Sequence, residues 1–166
     1  SDYGLKKVSG YIADTQRCYQ GNYYAIFPQL SLSGDLGSGI SNQMVLLLNS
    51  PGMEKTDTDN DNLTVTPFMQ TSDSGYAVTE NDQTQGQYIL GAVSTNAISA
   101  DSSDSDSEDE DDESDATDTD TKTARLTVLA SASMISSDIT DQLTTLDNLT
   151  LFVNSVTENF DNVNNV

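Results

Sequence analysis

Between Asp101 and Asp120 the chain carries 12 acidic residues and no basic one. A segment of that charge density repels itself and has almost nothing apolar to bury, so residues 101–121 are expected to form a disordered acidic insertion. Whatever folds must be assembled from the two flanks. The apolar runs bordering the tract, residues 88–93 (YILGAV) and 126–130 (LTVLA), are then expected to be neighbouring strands, with the tract as an overlong connection between them.

The second of these runs is expected to be the centre of the sheet. Leu126, Val128, Leu129 and Ala130 make a short apolar run rich in β-formers, of the kind that is buried on both faces. It ends in Ser131, Ala132 and Ser133, small residues that allow a sharp turn at the strand end, where ligands of open α/β sheets usually sit. Further strands are expected at residues 8–14 (VSGYIAD), 44–49 (MVLLLN) and 63–71 (LTVTPFMQT), with extended chain at 23–32 kept off a central ladder by Pro28. After 63–71 comes a hydroxyl-rich turn, Thr71-Ser72-Asp73-Ser74-Gly75. Its default role is capping, and its other role is to hold a polar ligand. Asp147-Asn148 is expected to cap a closing helix whose stripe of Leu149, Phe152, Val153, Val156 and Phe160 packs on the sheet.

At 166 residues the chain is expected to be a single domain, 1–166, excised from a longer protein, since it starts at Ser1 in mid-pattern. Without the tract, 15 acidic residues still face 6 basic ones. That balance argues against nucleic acid or an anionic bilayer as partner, because phosphate binding needs Lys and Arg. There is no His, which removes the usual general base, zinc ligand and Ser-His or Cys-His pair. The lone Cys18 offers neither a disulfide nor a metal quartet. The longest apolar stretch, 44–48, is far short of the ~20 residues a membrane span needs. Gly34, Gly37 and Gly39 lack the spacing and the following Lys-Ser/Thr of a phosphate loop. Asp57, Asp59 and Asp61 begin like a calcium loop, but the glycine position holds Asn62 and the twelfth position Phe68. No cofactor and no metal ligand set is expected.

Several segments occur in the order and approximate spacing of one known domain: YGL…GYIAD, residues 25–30 with Pro28, NQMVLLLNS, LTVTPFMQTSDSGY, ARLTVLASASMISSDI and NLTLFVNSV. They resemble the extracytoplasmic domain of Gldg-type ABC transporter auxiliary components, a bacterial family named for gliding motility. The most telling pieces are the strand leading to Thr71-Ser72 and the N-L-x-L-F-x-N ending from Asn148 to Asn154. The resemblance covers nearly the whole chain outside the acidic insertion. It implies an α/β fold with an open, mostly parallel sheet flanked by helices, akin to flavodoxin-like or class I amidotransferase-like sheets without their catalytic residues. It also implies a membrane-anchored parent working beside ABC transporter permease and ATPase subunits, with this domain on the extracytoplasmic side of the cell membrane.

The expected function is a noncatalytic accessory domain that mediates subunit or ligand interaction. Its candidate ligand-binding residues are Thr71, Ser72, Asp73, Ser131 and Ser133, at the expected strand ends. The alternative is a stand-alone cell-surface binding module for a small ligand or for calcium. A hydrolase built on Ser131 or Ser133 would need a Lys or carboxylate base, and neither lies close in sequence.

Overall fold

The computed structural model describes residues 2–98, 122–141 and 143–157. In chain order its strands are β1 (Leu5–Lys7), β2 (Tyr11–Asp14), β3 (Cys18–Tyr19), β4 (Asn22–Ile26), β5 (Gln29–Leu30), β6 (Leu47–Leu48), β7 (Met53–Lys55), β8 (Leu63–Gln70), β9 (Gly75–Val78), β10 (Gln83–Gln85), β11 (Ile89–Ile98) and β12 (Lys122–Leu129). Two 3-10 turns, Gly34–Gly37 and Ala132–Ile135, and two α-helices, α1 (Ser137–Thr140) and α2 (Asn148–Thr157), complete the described elements.

The expected open, mostly parallel flavodoxin-like or amidotransferase-like sheet is not what forms. Every strand pairing among the described residues is antiparallel, in one six-stranded sheet and two three-stranded ones. A parallel sheet needs a crossover of a dozen or more residues, usually a helix, between neighbouring strands. The two described α-helices both follow the last strand, so among the described residues no α-helix stands between strands to supply one.

The main sheet is organised around β11, not around the run at 126–130. β11 pairs with β8 on one side, and on the other with β7 at Ile89 and with β12 from Gly91 to Ile98. Residues 89–94 are all buried, whereas β12 is exposed or half-buried throughout. The expected two-faced central strand is therefore an outer strand with only β11 beside it. The expectation that the runs flanking the acidic tract are neighbours holds in detail, with Gly91 opposite Leu129 and Ile98 opposite Lys122. The tract's expected disorder, like the expected place of Phe160, lies outside the described residues.

β11 serves two cores because it changes phase. Leu90 and Val93 point into the main core with Phe68, Met69, Ile12 and Leu47, while Ile89 and Ala92 join Leu5 and Met53 on the opposite face. A plain strand alternates with period two, so residues three apart share a face only across a bulge. The register against β8 shifts on both sides of Gly91. A Cβ at Gly91 would sit 2.8 Å from the Phe68 ring and from Met69 Cε, so the bulge needs glycine there. Pro67 is tolerated in β8 because β5 pairs only with Met69 and Gln70, leaving no ladder on that side for Pro67 to interrupt.

The closing helix α2 forms where Asp147-Asn148 announced it, but its apolar stripe splits. Leu151 is fully buried and Phe152 packs on the main core, whereas Leu149, Val153 and Val156 face outward, 59%, 47% and 43% exposed. The face α2 turns inward carries Asn148, Leu151 and Ser155.

Candidate functional site

Thr71 and Ser72 close the end of β8, and both are almost wholly buried. Their polar atoms are spent on the fold. Thr71 Oγ1 accepts from the Tyr88 N–H at 2.9 Å and donates to the Ser72 carbonyl at 2.9 Å. Ser72 meets Asp14, the last residue of β2, whose carboxylate is completely buried. Its Oδ2 accepts from the Ser72 N–H at 2.7 Å, and its Oδ1 from the Ser72 hydroxyl at 2.8 Å and the Gln16 and Arg17 N–H groups at 2.9 Å each. Burial pushes the Asp14 carboxyl up, but these donors outweigh it and hold the group below the usual carboxylate range. Such a carboxylate is a poor proton acceptor and serves as a knot between β2, the 15–17 turn and the end of β8. Asp73, beside this knot, is exposed.

Ser131 and Ser133 form a separate, local arrangement. Ser131 caps the 3-10 turn by accepting from the Ser133 N–H at 3.0 Å, and its hydroxyl donates to Ser133 Oγ at 2.9 Å. Ser133 Oγ in turn accepts from the Leu48 N–H at 3.3 Å. The hydrogen bonds of the two sequence-predicted clusters thus lead to different partners, Asp14 and Tyr88 in one case and Leu48 in the other. They do not join into one ligand cradle, and neither presents an activated nucleophile.

The Asn148–Asn154 motif is likewise structural. Asn148 is buried; its Oδ1 accepts from the Leu46 N–H at 2.9 Å while its amide donates to the carbonyls of Leu46 and Met134 at 2.8 and 3.0 Å. Six residues later Asn154 donates to the carbonyls of Leu36 and Ser38 at 3.0 and 2.6 Å. Asp147 accepts from the N–H groups of Ser41, Asn42 and Met44 at 3.3, 3.0 and 3.3 Å. Burial raises its carboxyl and these donors more than offset that, leaving it below the ordinary range.

What sequence reasoning missed is an aromatic face. The small sheet β10-β9-β2 buries Ile12, Asp14, Gly75 and Ala77. Its other face carries Tyr11 opposite Val78, which in turn is opposite Gln83, and Ala13 opposite Tyr76, which in turn is opposite Gln85. Tyr23 and Tyr24 arrive from β4 beside it. Two cavities, of about 500 and 390 Å³, share Tyr24 and Val78 in their walls and so lie side by side. Tyr11 lines the first, Tyr23 and Tyr76 the second. Ala13 faces outward yet is only 5% exposed, so it is the shielded floor of a trough between larger side chains. The available signal was two short strand-like runs, residues 11–14 and 75–78, each with a tyrosine on one of its faces.

Among the described residues no helix is long and apolar enough to cross a membrane, and no group of three or more His, Cys, Asp or Glu is placed to share a metal ion. Comparison with protein-family models, with curated proteins and with solved structures found no match.

Proposed function

We propose that this is a noncatalytic interaction domain, the extracytoplasmic part of an ABC transporter accessory protein, anchored in the cell membrane through the rest of its parent and docking on the permease and ATPase assembly. The observation that carries it is the outer face of α2. The helix, NLTLFVNSVT, has no charged residue in a chain of net charge −21, and it leaves Leu149, Val153 and Val156 in water at helical spacing. Apolar stripes without charges on an otherwise acidic surface are what protein contacts use. Two further facts support the reading. The hydroxyl and carboxylate clusters are consumed in holding backbone, which leaves little for catalysis, and the segment order resembles the Gldg-type accessory family.

Tagged in its native host and extracted in mild detergent, the intact protein should co-purify with an ABC-type ATPase and permease in stoichiometric amounts. The Leu149→Asp, Val153→Asp double variant should lose them while keeping its fold. A protein that is soluble, or that leaves the membrane without an ATPase, would overturn the transporter reading. The tyrosine-lined trough would then favour a stand-alone surface binding module.

A further inference from the structure

We infer that the trough between β2, β9 and β4 is a binding site for a neutral carbohydrate chain. The inference stands apart from the transporter reading, because it uses a different sheet face from the outer surface of α2.

Tyr11 and Tyr23 are half exposed, 56% and 50%, and with Tyr24 and Tyr76 they place four phenol rings around two adjoining cavities. Phenols are amphipathic, with an apolar ring for a flat C–H face and a hydroxyl that wants a partner. None of these four hydroxyls has a hydrogen-bond partner among the described residues, and the same holds for the side-chain amides of Asn49 and Gln83 at the rim. The buried amide and hydroxyl of Asn148 and Thr71, by contrast, are spent on backbone, and the hydroxyl of Ser72 on Asp14. The trough thus lines an apolar floor with polar groups that a ligand can engage.

The charge of the lining narrows the ligand class. No Lys or Arg lines either cavity, and the chain as a whole is strongly acidic, so phosphate, sulfate or uronate groups would meet repulsion. A purely apolar ligand would bury the rim amides and leave them unsatisfied. A cation would find rings to stack on, but Glu80 is the single carboxylate in the lining of the two cavities. A polyhydroxylated neutral chain satisfies all of these demands at once, since each sugar presents one C–H face to a ring and hydroxyls to the rim. Two neighbouring cavities, with Tyr11 in the wall of one, Tyr23 and Tyr76 in the wall of the other and Tyr24 between them, suit a chain of several residues better than a single sugar.

The test is calorimetric titration of the 166-residue chain with a panel of neutral hexasaccharides, namely cello-, malto-, laminari-, manno- and chito-oligomers. At least one should bind, with an affinity that hardly changes between about 0.1 and 1 M NaCl. Tyr11→Ala and Tyr76→Ala should each weaken it up to about tenfold, as expected for removal of one stacked ring. Because Tyr76 is partly buried, Gln83→Ala serves as a second variant; it sits on an exposed edge strand, should leave the melting temperature unchanged and should also weaken binding. Silence across the whole panel overturns the inference. So does binding that survives all three substitutions, or binding of tetramethylammonium or a lysine-rich peptide in place of the sugars, lost as salt rises.

Discussion

Asp14 ties together β2, the 15–17 turn and the end of β8. Its carboxylate has no exposure and serves four donors: the N–H and hydroxyl of Ser72 and the N–H groups of Gln16 and Arg17. In Asp14→Ala the two Ser72 donors remain buried without a partner, at about 1–3 kcal/mol each. The Gln16 and Arg17 donors are nearer water and recover part of their loss, so the whole substitution should cost about 3–5 kcal/mol, a large share of a typical domain's stability. Asp14→Asn is the finer probe. It keeps the volume and one acceptor oxygen, but turns an amide toward a donor and should cost about 2 kcal/mol at pH 7. The sign of its pH dependence follows from the depressed carboxyl. A group held below its unfolded value near 3.9 stabilises the fold above that pH, and loses this contribution as pH falls through its lower folded value. Urea unfolding of wild type and Asp14→Asn, followed by circular dichroism from pH 7 down to about 2.5, should therefore show a stability gap that is full at neutral pH and narrows below about 4. Asp147, depressed in the same direction, titrates in both proteins and cancels from the difference. A variant as stable as wild type at pH 7, or a gap that stays constant through the acid range, would refute the assignment of Asp14 as an ionised knot.

Two further substitutions test the scaffold. Gly91→Ala forces a methyl against the Phe68 ring and Met69 Cε at the β11 bulge and should destabilise by about 1–3 kcal/mol, read as a lowered urea midpoint with an unchanged slope. Asn148→Ala removes three buried hydrogen bonds, to Leu46 and Met134, and should cost about 2–4 kcal/mol; a thermal midpoint within a degree of wild type would show that α2 is not clipped to the chain in this way.

The parts of the fold that the sequence announced are those carried by long apolar runs. β8 and α2 fall within expected segments, β11 and β12 cover the expected runs at 88–93 and 126–130 but extend beyond them to Ile98 and back to Lys122, and the pairing across the acidic tract follows from the tract having nothing to bury. The parts that failed are those where local pattern is silent about direction. A run such as LTVLA looks the same in an edge strand and in a two-faced central one, and only the register with β11 shows that β12 is exposed. No strand is announced at Cys18–Tyr19 because β3 has just two residues and is irregular, with Cys18 opposite Ile26 and Tyr19 opposite Asn22. Residues 44–49 are apolar enough for a long strand, yet only Leu47 and Leu48 pair with β4. The site residues Thr71, Ser72, Ser131 and Ser133 were chosen for their hydroxyls. Those hydroxyls are real features of the chain, but only the three-dimensional neighbours show that they are already satisfied.

The same neighbours explain why so many polar side chains are buried in a domain with such short strands. Backbone N–H and C=O groups that leave water must find partners, and a two-residue strand supplies few. Here side chains take the place of missing ladders. Asn148 pairs with both backbone groups of Leu46 as a neighbouring strand would, Asp147 gathers the N–H groups of Ser41, Asn42 and Met44, and Asp14 gathers those of Gln16, Arg17 and Ser72. Arg17 then donates to the carbonyls of Phe27 and Pro28 at 2.7 and 3.3 Å. A polar group committed in this way cannot also change partners during a reaction without opening the fold, so the buried clusters are the wrong place to look for activity. The candidates left for recognition are surfaces that take no part in this accounting: the uncharged outer stripe of α2, and the tyrosine trough with its unspent hydroxyls and amides.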